Sequence, residues 1–467
     1  MIKFLNGIRN YDNIPAYRIL DGEDYFDISF ADFYKRSQQV AFNLQQMIGD
    51  LKGKRIGIYC DSTYEYTYLI TAIVFSRAIV VPLNIHESVD NISYEVQNAE
   101  LDYLIVDNDK LSSVPMQVGF IEKEDILKEG SGVVSLKDFT DEEFDAPAFL
   151  VFTSGTTGRP KGVVLSAGNM FGHEKTLYDS NVPFDNYEGL RIYTNFPYYH
   201  IGGFIGWVTH FEKGCTTYLS MNPGNVLMDL EHQVIDGAAV TPATLNLWKK
   251  SIMRGKLQRL GQVKVVVTAG APIDVSVVQL FMEHGILYGQ YYGMTESCGN
   301  ITFNFDCVKH VKSVGRPDNN VEVKIIDGEI CVKSPSVMQG YYKNPEETSK
   351  ALIDGYLHTG DLGEVDEEGY VYITGRKKNL IILSGGENVS PEELEKELYK
   401  CNMVYECKVY AENDRIATTI YTDEEQSDTV LEFILDLNTK LPIYKRIYKK
   451  NIVFTPLEKT VSGKIKR

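Results

Sequence analysis

The stretch VFTSGTTGRPKGVVLS, residues 151–166, carries a dense set of ligand-binding residue types and decides how the rest of the sequence is interpreted. Its central part concentrates glycines, hydroxyl side chains, a proline and Lys161. Glycines allow successive backbone N–H groups to turn inward and form an anion-binding nest. The apolar runs on either side, PAFLVF and GVVLS, predict buried strands. The pattern therefore indicates a strand–loop–strand unit whose loop holds phosphate groups.

The loop differs from the Walker A motif, in which a Gly-Lys-Ser/Thr sequence opens a helix. Here Gly158 is followed by Arg159 and Pro160. Lys161 is followed by Gly162, so neither a hydroxyl residue nor a helix start comes after the lysine. A polar surface turn is the alternative interpretation, but four hydroxyl residues combined with a proline and a lysine favour a phosphate loop of another kind.

The size and charge of the chain limit the classes of protein that it can represent. Its 467 residues suffice for two or three domains with a large core. A net charge of -17 argues against a general nucleic-acid binder, because such proteins neutralise phosphates with an excess of basic residues. A phosphate-bearing ligand must therefore be held by a local site.

The cysteines and the apolar segments indicate the compartment. Seven cysteines are scattered without a Cys-x-x-Cys pair or a zinc-ligand spacing, which is typical of a reducing environment in which thiols act as small buried apolar groups. The N-terminal segment lacks a signal-peptide core, and the most apolar span, residues 68–85, is interrupted by Arg77 and Pro82. We expect a cytoplasmic protein without a membrane span.

Strands and helices alternate in the first part of the sequence. Helical periodicity covers residues 29–48, where Ser29 is a candidate N-cap, and returns twice before residue 100. The runs RIGIYC, AIVVPLN and DYLIVDN between and after these helices predict strands. Alternation of this kind predicts a layered α/β domain with parallel strands.

From about residue 321 the pattern changes to hairpins. One is predicted to turn at Asp327–Gly328 and a second at the sequence DEEG, and Ser390 with Pro391 and Glu393 predicts a capped helix start. We place a domain boundary at Arg376–Lys378. The expected fold is α/β, with a large N-terminal domain (residues 1–376) of layered sheets and helices and a small, mobile α+β C-terminal domain (residues 377–467).

Four motifs occur in the order found in one known family. They are FTSGTTGRPKGV, YYGMTES, the segment YLHTGDLGEVDEEGYVYITGRKKNLIILSGGENVSPEELE, and the terminal KTVSGKIKR. Together they span nearly the whole chain, and in this order they resemble the adenylate-forming superfamily of acyl-CoA and aryl-CoA synthetases, adenylation domains and luciferases. The resemblance implies an enzyme that uses ATP and Mg²⁺ to convert a carboxylic acid into an acyl-adenylate with release of pyrophosphate. A thiol then attacks the acyl-adenylate.

The resemblance also assigns a nucleotide site. Lys161 would neutralise the β- and γ-phosphates, Tyr292 would stack on adenine, and Asp361 with Arg376 would bind the ribose hydroxyls. The complete set expected to bind ATP or AMP is Thr153, Ser154, Gly155, Thr156, Thr157, Gly158, Lys161, Gly270, Ala271, Pro272, Tyr292, Gly293, Asp361, Ile373 and Arg376. Taken singly, Asp361 could be a turn residue and Arg376 a surface charge.

Further roles follow from the same resemblance. Glu296 would bind Mg²⁺, since a hard cation prefers carboxylate oxygen. The residues expected at the reacting groups are Lys464, His200 and Thr295. Lys378 would be the hinge between half-reactions, and Gly385 and Gly386 would line the channel for the thiol. Composition alone would make Lys464 part of a basic tail, and His200 could instead be a core histidine.

The expected acyl pocket comprises Ile201, Gly202, Phe204 and Tyr291. Amino-acid adenylation domains usually carry an Asp at the position of Ile201 to pair with the substrate ammonium. An apolar side chain there would leave that ammonium buried and unpaired, which is unfavourable by roughly several kcal/mol or more. We therefore expect an apolar acid, alkyl or aromatic. Tyr291 would shorten the pocket only if its ring points into it.

The acceptor of the acyl group is open at this stage. CoA is the default, which makes the protein an AMP-forming acyl-CoA synthetase, an acid–thiol ligase. The first alternative is a stand-alone adenylation enzyme that loads the phosphopantetheine arm of an acyl carrier protein. The second is a non-catalytic nucleotide-binding protein, although the charged residues of every motif are present. Neither a nucleic acid nor a membrane is expected as a partner.

Overall fold

The computed structural model describes residues 4–113, 118–130, 132–153, 159–172, 184, 186–270, 275–384, 387–459 and 465, and the following statements concern these residues. These residues form 26 β-strands. They are β1 Pro15–Asp21, β2 Asp24–Ser29, β3 Arg55–Tyr59, β4 Ile79–Pro82, β5 Tyr103–Val106, β6 Gly119–Glu122, β7 Pro147–Thr153, β8 Lys161–Ser166, β9 Arg191–Thr194, β10 Thr216–Ser220, β11 Gly237–Ala239, β12 Val265–Ala269, β13 Leu287–Met294, β14 Gly299–Asn304, β15 Arg316–Pro317, β16 Glu322–Ile326, β17 Glu329–Lys333, β18 Gly340–Tyr341, β19 Leu352–Ile353, β20 Tyr356–Val365, β21 Val371–Arg376, β22 Ile381–Ile382, β23 Asn388–Val389, β24 Glu406–Glu412, β25 Arg415–Tyr421 and β26 Ile447–Val453.

The α-helices lie between these strands in the chain. They are α1 Phe4–Ile8, α2 Phe30–Ile48, α3 Tyr64–Phe75, α4 Val89–Ala99, α5 Lys123–Ile126, α6 Ala167–Phe171, α7 Ile201–Glu212, α8 Val226–Glu231, α9 Pro242–Met253, α10 Val275–Glu283, α11 Pro345–Ala351, α12 Pro391–Leu398 and α13 Ser427–Lys440. In the part of the chain that the structure describes, no helix has the length and apolar character needed to cross a membrane.

The chain forms two compact units. The first comprises the described residues up to Val323 together with Val332–Leu357 and Glu367–Val371. The second comprises Lys324–Cys331, His358–Asp366 and the described residues from Tyr372 onward. The second unit thus also takes segments that precede Arg376, and a functional boundary at Arg376–Lys378 stays a prediction.

Two large sheets form the framework of the first unit. One has the strand order β15-β14-β13-β12-β11-β9-β10-β1-β2, and the other has the order β18-β8-β7-β4-β3-β5-β6. Strands β11, β12 and β13 run parallel to one another, as do β3, β4 and β5, while β7 and β8 are antiparallel. Helix α3 is buried along nearly its whole length, as its predominantly apolar sequence requires. The prediction of layered α/β architecture is confirmed.

The C-terminal strands form smaller sheets. A five-stranded sheet has the order β16-β17-β20-β19 with β21 beside β20, and a three-stranded sheet has the order β24-β25-β26. The hairpin predicted at Asp327–Gly328 is present, and both residues have positive φ (50° and 78°), as a tight turn between β16 and β17 requires. A separate apolar core, which includes Leu394, Ile416 and Ile434, packs α12 and α13 within the second unit.

Two predicted helix starts can be compared in detail. Ser29 caps α2 by accepting a hydrogen bond from the Asp32 amide at 3.0 Å. Ser390 caps α12 by accepting from the Glu393 amide at 3.4 Å, and Pro391 occupies the first turn as predicted. The Glu393 carboxylate binds the Lys445 ammonium at 2.7 Å, so this side chain serves a contact with a distant segment.

Candidate active site

The two described ends of the phosphate loop are held together by a strand pair. Thr153 ends β7 and lies opposite Lys161, the first residue of β8. The Thr153 hydroxyl donates to the Lys161 carbonyl at 3.4 Å. Ser154, Gly155, Thr156, Thr157 and Gly158 lie outside the described residues, and their phosphate-binding role stays a prediction. The antiparallel pair fixes where the loop begins and ends.

Lys161 contacts two residues that sequence reasoning did not single out. Its ammonium binds the Glu347 carboxylate and lies 5.2 Å from the centre of the Tyr341 ring. The side chain is 23% exposed and lines a surface groove of about 480 Å³ together with Arg159 and Lys343. A lysine in a groove rich in polar side chains suits an anionic ligand.

Tyr341 connects the lysine to the carboxylate assigned to Mg²⁺. Its hydroxyl donates to Glu296 Oε1 at 2.8 Å, and the Met338 amide donates to the Glu296 carbonyl at 2.8 Å. Burial raises the pKa of Tyr341, and the adjacent Glu296 carboxylate raises it further, so the phenol stays protonated as the donor. Glu296 is 8% exposed. A carboxylate and a lysine that both contact one tyrosine fit the donor set of a site for Mg²⁺ and phosphate.

Tyr341 is positioned by the short strand β18. β18 pairs antiparallel with β8, placing Tyr341 opposite Val163, and the Tyr342 amide donates to the Gly162 carbonyl at 2.7 Å. Thr295, Glu296 and Ser297 form a 3₁₀ turn directly after β13. The segment 338–342 therefore joins the end of the phosphate loop to the Thr295–Ser297 turn. The pairing of β18 with β8 links residues far apart in sequence, and no local sequence signal indicated it.

The two segments assigned to the adenine site lie near the C-terminal ends of the neighbouring strands β12 and β13. The parallel register of β12 and β13 pairs Ala269 with Tyr291, and Gly270 and Tyr292 are the next residues of the two segments. Gly270 has φ +81°, and Gly293 admits no side chain because a Cβ would lie 1.8 Å from the Gly299 carbonyl oxygen. Ala271 and Pro272 lie outside the described residues.

In the second unit the structure brings together the two residues predicted to bind ribose. Arg376 Nε lies 2.7 Å from Asp361 Oδ1. The Asp361 side chain is 4% exposed, whereas that of Arg376 is 42% exposed. The Asp361 amide donates to the Thr359 hydroxyl at 3.1 Å, and both residues lie on β20. Ile373 lies on β21, three residues before Arg376, and is partly exposed.

A second buried carboxylate, Glu329, supports the part of β20 that carries Asp361. Its oxygens accept from the Gly360 amide at 2.8 Å, the Lys377 ammonium at 2.9 Å and His358 Nδ1 at 3.0 Å. Burial alone would raise the pKa of Glu329, but the hydrogen bonds from Lys377, His358 and the Gly360 amide outweigh burial and hold the pKa below its usual range. Sequence reasoning missed Glu329.

Of the remaining site residues predicted near the C-terminus, the structure describes Lys378. Lys378 lies in a 3₁₀ turn, Lys377–Asn379, and is exposed. Its role as a hinge stays a prediction. Gly385, Gly386 and Lys464 lie outside the described residues.

The residues assigned to the acyl pocket surround the start of α7 and the end of β13. His200 is exposed at the N-cap position of α7, which excludes the alternative of a core histidine. Phe204, in contrast, has no exposed surface and packs edge to face on Phe149, with ring centres 5.2 Å apart. Ile201 is partly buried and Gly202 is exposed.

Tyr291 packs against two other aromatic residues. Its ring centre lies 6.0 Å from that of Phe303 and 6.2 Å from that of Phe305. These rings belong to an apolar cluster that also includes Ile192 and Val265, and Tyr291 remains partly exposed. Whether Tyr291 limits the size of the acid therefore stays a prediction to be tested with substrates.

Comparison with known proteins places this geometry in context. A family model described as AMP-binding enzyme matches residues 7–342. The chain is 29% identical over 424 residues to a 2-succinylbenzoate–CoA ligase of Bacillus cytotoxicus, covering 85% of this chain and 84% of that protein. It is 28% identical over 467 residues to a protein of the same name from Bacillus cereus strain Q1, covering 94% and 92%.

Solved structures agree with the fold. The O-succinylbenzoate coenzyme A synthetase of Bacillus subtilis in complex with AMP superposes with a TM-score of 0.85 at 23% identity, covering 100% of this chain and 97% of that one. The same enzyme in complex with ATP and a magnesium ion gives a TM-score of 0.83 at 23% identity, with 100% and 98% coverage.

Proposed function

This chain belongs to the AMP-binding enzyme family, and from that premise we propose that it is an ATP-dependent ligase joining an aromatic acid of the 2-succinylbenzoate type to CoA. Its reaction class is that of an AMP-forming acid–CoA ligase. In the first step a carboxylate oxygen attacks the α-phosphorus of ATP, and pyrophosphate leaves. In the second, the CoA thiol attacks the acyl carbon, a proton is lost from sulfur, and AMP leaves.

The observation that carries this proposal is the arrangement of Lys161, Tyr341 and Glu296. It unites the cation assigned to the phosphates with the carboxylate assigned to Mg²⁺ through one tyrosine. Phosphoryl transfer depends mainly on positioning and on neutralisation of charge rather than on covalent help from the protein. A lysine and a carboxylate fixed in one network supply both.

Each remaining residue has a defined part in the proposed reaction. Thr295 would donate to the α-phosphate, and Asp361 would accept hydrogen bonds from the ribose hydroxyls, with Arg376 holding the Asp361 carboxylate in place. Mg²⁺, bound by Glu296, would offset the charge of the phosphates. Lys464 would neutralise the charge that develops as the carboxylate attacks.

The choice of acid rests on the relatives and on the apolar side chain of Ile201. The two named Bacillus relatives align over at least 84% of their length, and both are 2-succinylbenzoate–CoA ligases. Ile201 begins α7 and offers no partner for a substrate ammonium. His200, which is exposed beside it, would contact a polar group of the acid. A CoA acceptor fits these relatives, and a carrier-protein partner has no support among them.

The test is pyrophosphate release with ATP and Mg²⁺ across short, medium, long and aromatic acids, each with and without CoA, with products identified by mass. We expect turnover with 2-succinylbenzoate and CoA and the mass of its thioester. Turnover with an alkyl acid instead would refute the aromatic assignment but keep the ligase. Release that stalls near one turnover with CoA present would contradict CoA as acceptor, and no release with any acid would favour the non-catalytic alternative.

A further inference from the structure

The phosphate-binding lysine of the proposed site already has an anionic partner within the protein. Lys161 binds the carboxylate of Glu347, which lies on α11. We propose that Glu347 is an internal counter-ion that holds Lys161 while no nucleotide is bound and releases it to the triphosphate of ATP. The inference rests on the proposed function, because it requires Lys161 to bind nucleotide phosphates.

Glu347 is shared between two cations. One carboxylate oxygen, Oε2, binds Lys161, and the other, Oε1, lies 2.9 Å from the Lys350 ammonium. Lys350 in turn binds Glu346 at 2.7 Å. Positive and negative side chains therefore alternate in the order Lys161, Glu347, Lys350, Glu346. Each carboxylate oxygen of Glu347 has its own donor.

This arrangement allows Lys161 to change partners at low free-energy cost. A triphosphate carries more negative charge than one carboxylate and attracts the ammonium more strongly. When Lys161 leaves, Lys350 still contacts Glu347, so this carboxylate keeps a cationic partner, which it shares with Glu346. The side chains of Lys161 and Glu347 are 23% and 31% exposed, and ion pairs in contact with water contribute only about 0–1 kcal/mol. The exchange is therefore reversible on binding and release.

Local structure fixes Glu347 beside Lys161. Asn344 caps α11 by accepting from the Glu347 amide at 3.1 Å, and the Tyr341 amide donates to the Thr348 hydroxyl at 2.9 Å. Because β18 is paired with β8, these bonds connect α11 to the strand that begins with Lys161. The hydrogen bond and charge of Lys161, followed by those of Lys350, lower the pKa of Glu347 to about 2, so its charge is constant at physiological pH.

The test compares the Kd of ATP, measured calorimetrically in the presence of Mg²⁺ and without acid, for the wild-type chain and matched variants. Glu347→Gln removes the competing anion and should lower the Kd about three- to fivefold, because about fivefold is the upper limit for a pair of about 1 kcal/mol. Lys350→Gln should raise the Kd by a similar factor, because Glu347 then has Lys161 as its one cation in this network. Glu346→Gln, on the same helix, should stay within about twofold of wild type.

A double variant separates this exchange from a general effect of charge. In the Glu347→Gln background, Lys350→Gln should no longer raise the Kd, since its effect acts through Glu347. An unchanged or higher Kd for Glu347→Gln in a wild-type chain that binds ATP would overturn the inference and leave the proposed function intact. If Glu347→Gln does not fold, Lys350→Gln alone decides, and an unchanged Kd overturns the inference. Failure of the wild-type chain to bind ATP would overturn the proposed function itself.

Discussion

At the scale of single residues, the Tyr341 hydroxyl orients the carboxylate that we assign to Mg²⁺. Tyr341→Phe removes the hydrogen bond to Glu296 and leaves the ring beside Lys161. Loss of a partner that orients a metal ligand typically weakens metal binding about 10- to 100-fold. We expect the Mg²⁺ concentration for half-maximal pyrophosphate release to rise by about tenfold, within the range for such losses.

The neighbouring tyrosine provides the control for this measurement. The Tyr342 hydroxyl accepts from Arg55 at 2.6 Å and lies 3.4 Å from Glu100. Tyr342→Phe therefore alters a surface contact and should leave the Mg²⁺ requirement unchanged. Equal Mg²⁺ curves for Tyr341→Phe and Tyr342→Phe would contradict the orienting role of Tyr341.

His210 makes the stability of the first unit depend on pH. It is 2% exposed in α7, and burial lowers its pKa from 6.5 to about 4. The unfolded chain binds the proton first as pH falls, so stability present above pH 6.5 is lost as the pH falls toward 4. The loss between pH 7 and pH 5 is about 2 kcal/mol.

His210→Gln should remove that slope while keeping a polar group near Thr217. The two tryptophans of the chain, Trp207 and Trp248, are buried in the first unit, so their fluorescence during urea unfolding reports on it. If the variant and the wild-type chain lose the same free energy of unfolding between pH 7 and pH 5, His210 is not the group responsible.

Residue roles could be predicted where chemistry is local. The motif around Lys161 and the TES sequence containing Glu296 identified both candidate ligands before any geometry was known. Tyr341 and Glu347 could not be identified in that way, because they act through a strand pairing between β18 and β8. Their sequence, GYYKNPEET, is compatible with an ordinary turn and short helix.

At the scale of secondary-structure elements, the buried face of α4 contains a carboxyl group. Ile92, Glu95, Val96 and Ala99 form this face. Burial raises the pKa of Glu95 to about 8, and the negative charge of Glu87 adds to the shift. A raised carboxyl pKa gives stability at low pH that is lost as pH rises above the unfolded value of about 4.3.

Glu95→Gln should therefore stabilise the first unit near neutral pH. The expected gain is about 3 kcal/mol at pH 7, with little change at pH 4, where the carboxyl group is mostly protonated in both states. Urea unfolding followed by tryptophan fluorescence at the two pH values provides the test. A variant that is equally stabilised at pH 4 would show that packing, and not ionisation, is responsible.

Elements with a clear apolar periodicity could be predicted, and elements without it could not. α2, α3 and β3 each follow the expected pattern because one face or the whole element is buried. β2 was not predicted, since four of its six residues are exposed and show no alternation. Its register comes from antiparallel pairing with β1, which itself pairs with the remote strand β10.

At the scale of the whole molecule, the order of the motifs along the sequence predicted the family and the reaction class, whereas the order of the strands in the sheets could not be predicted. The family and the reaction class followed from four motifs, and the comparisons bear both out. The strand order of the nine-stranded sheet, in which β1 lies between β10 and β2, depends on packing between distant segments and has no signal in the sequence. The sequence also did not predict that segments before residue 376 belong to the second unit.

The last prediction concerns the two half-reactions of the complete chain. By resemblance Lys464 would act in adenylation, and the region after Lys378, the proposed hinge, would serve thioester formation. Lys464→Ala should reduce pyrophosphate release by orders of magnitude, because it removes the charge that stabilises the transition state. CoA thioester formation from a supplied acyl-adenylate should stay nearly intact. Lys466→Ala, in the same terminal motif, should affect neither step, and equal loss of both steps in Lys464→Ala would assign this lysine a structural role instead.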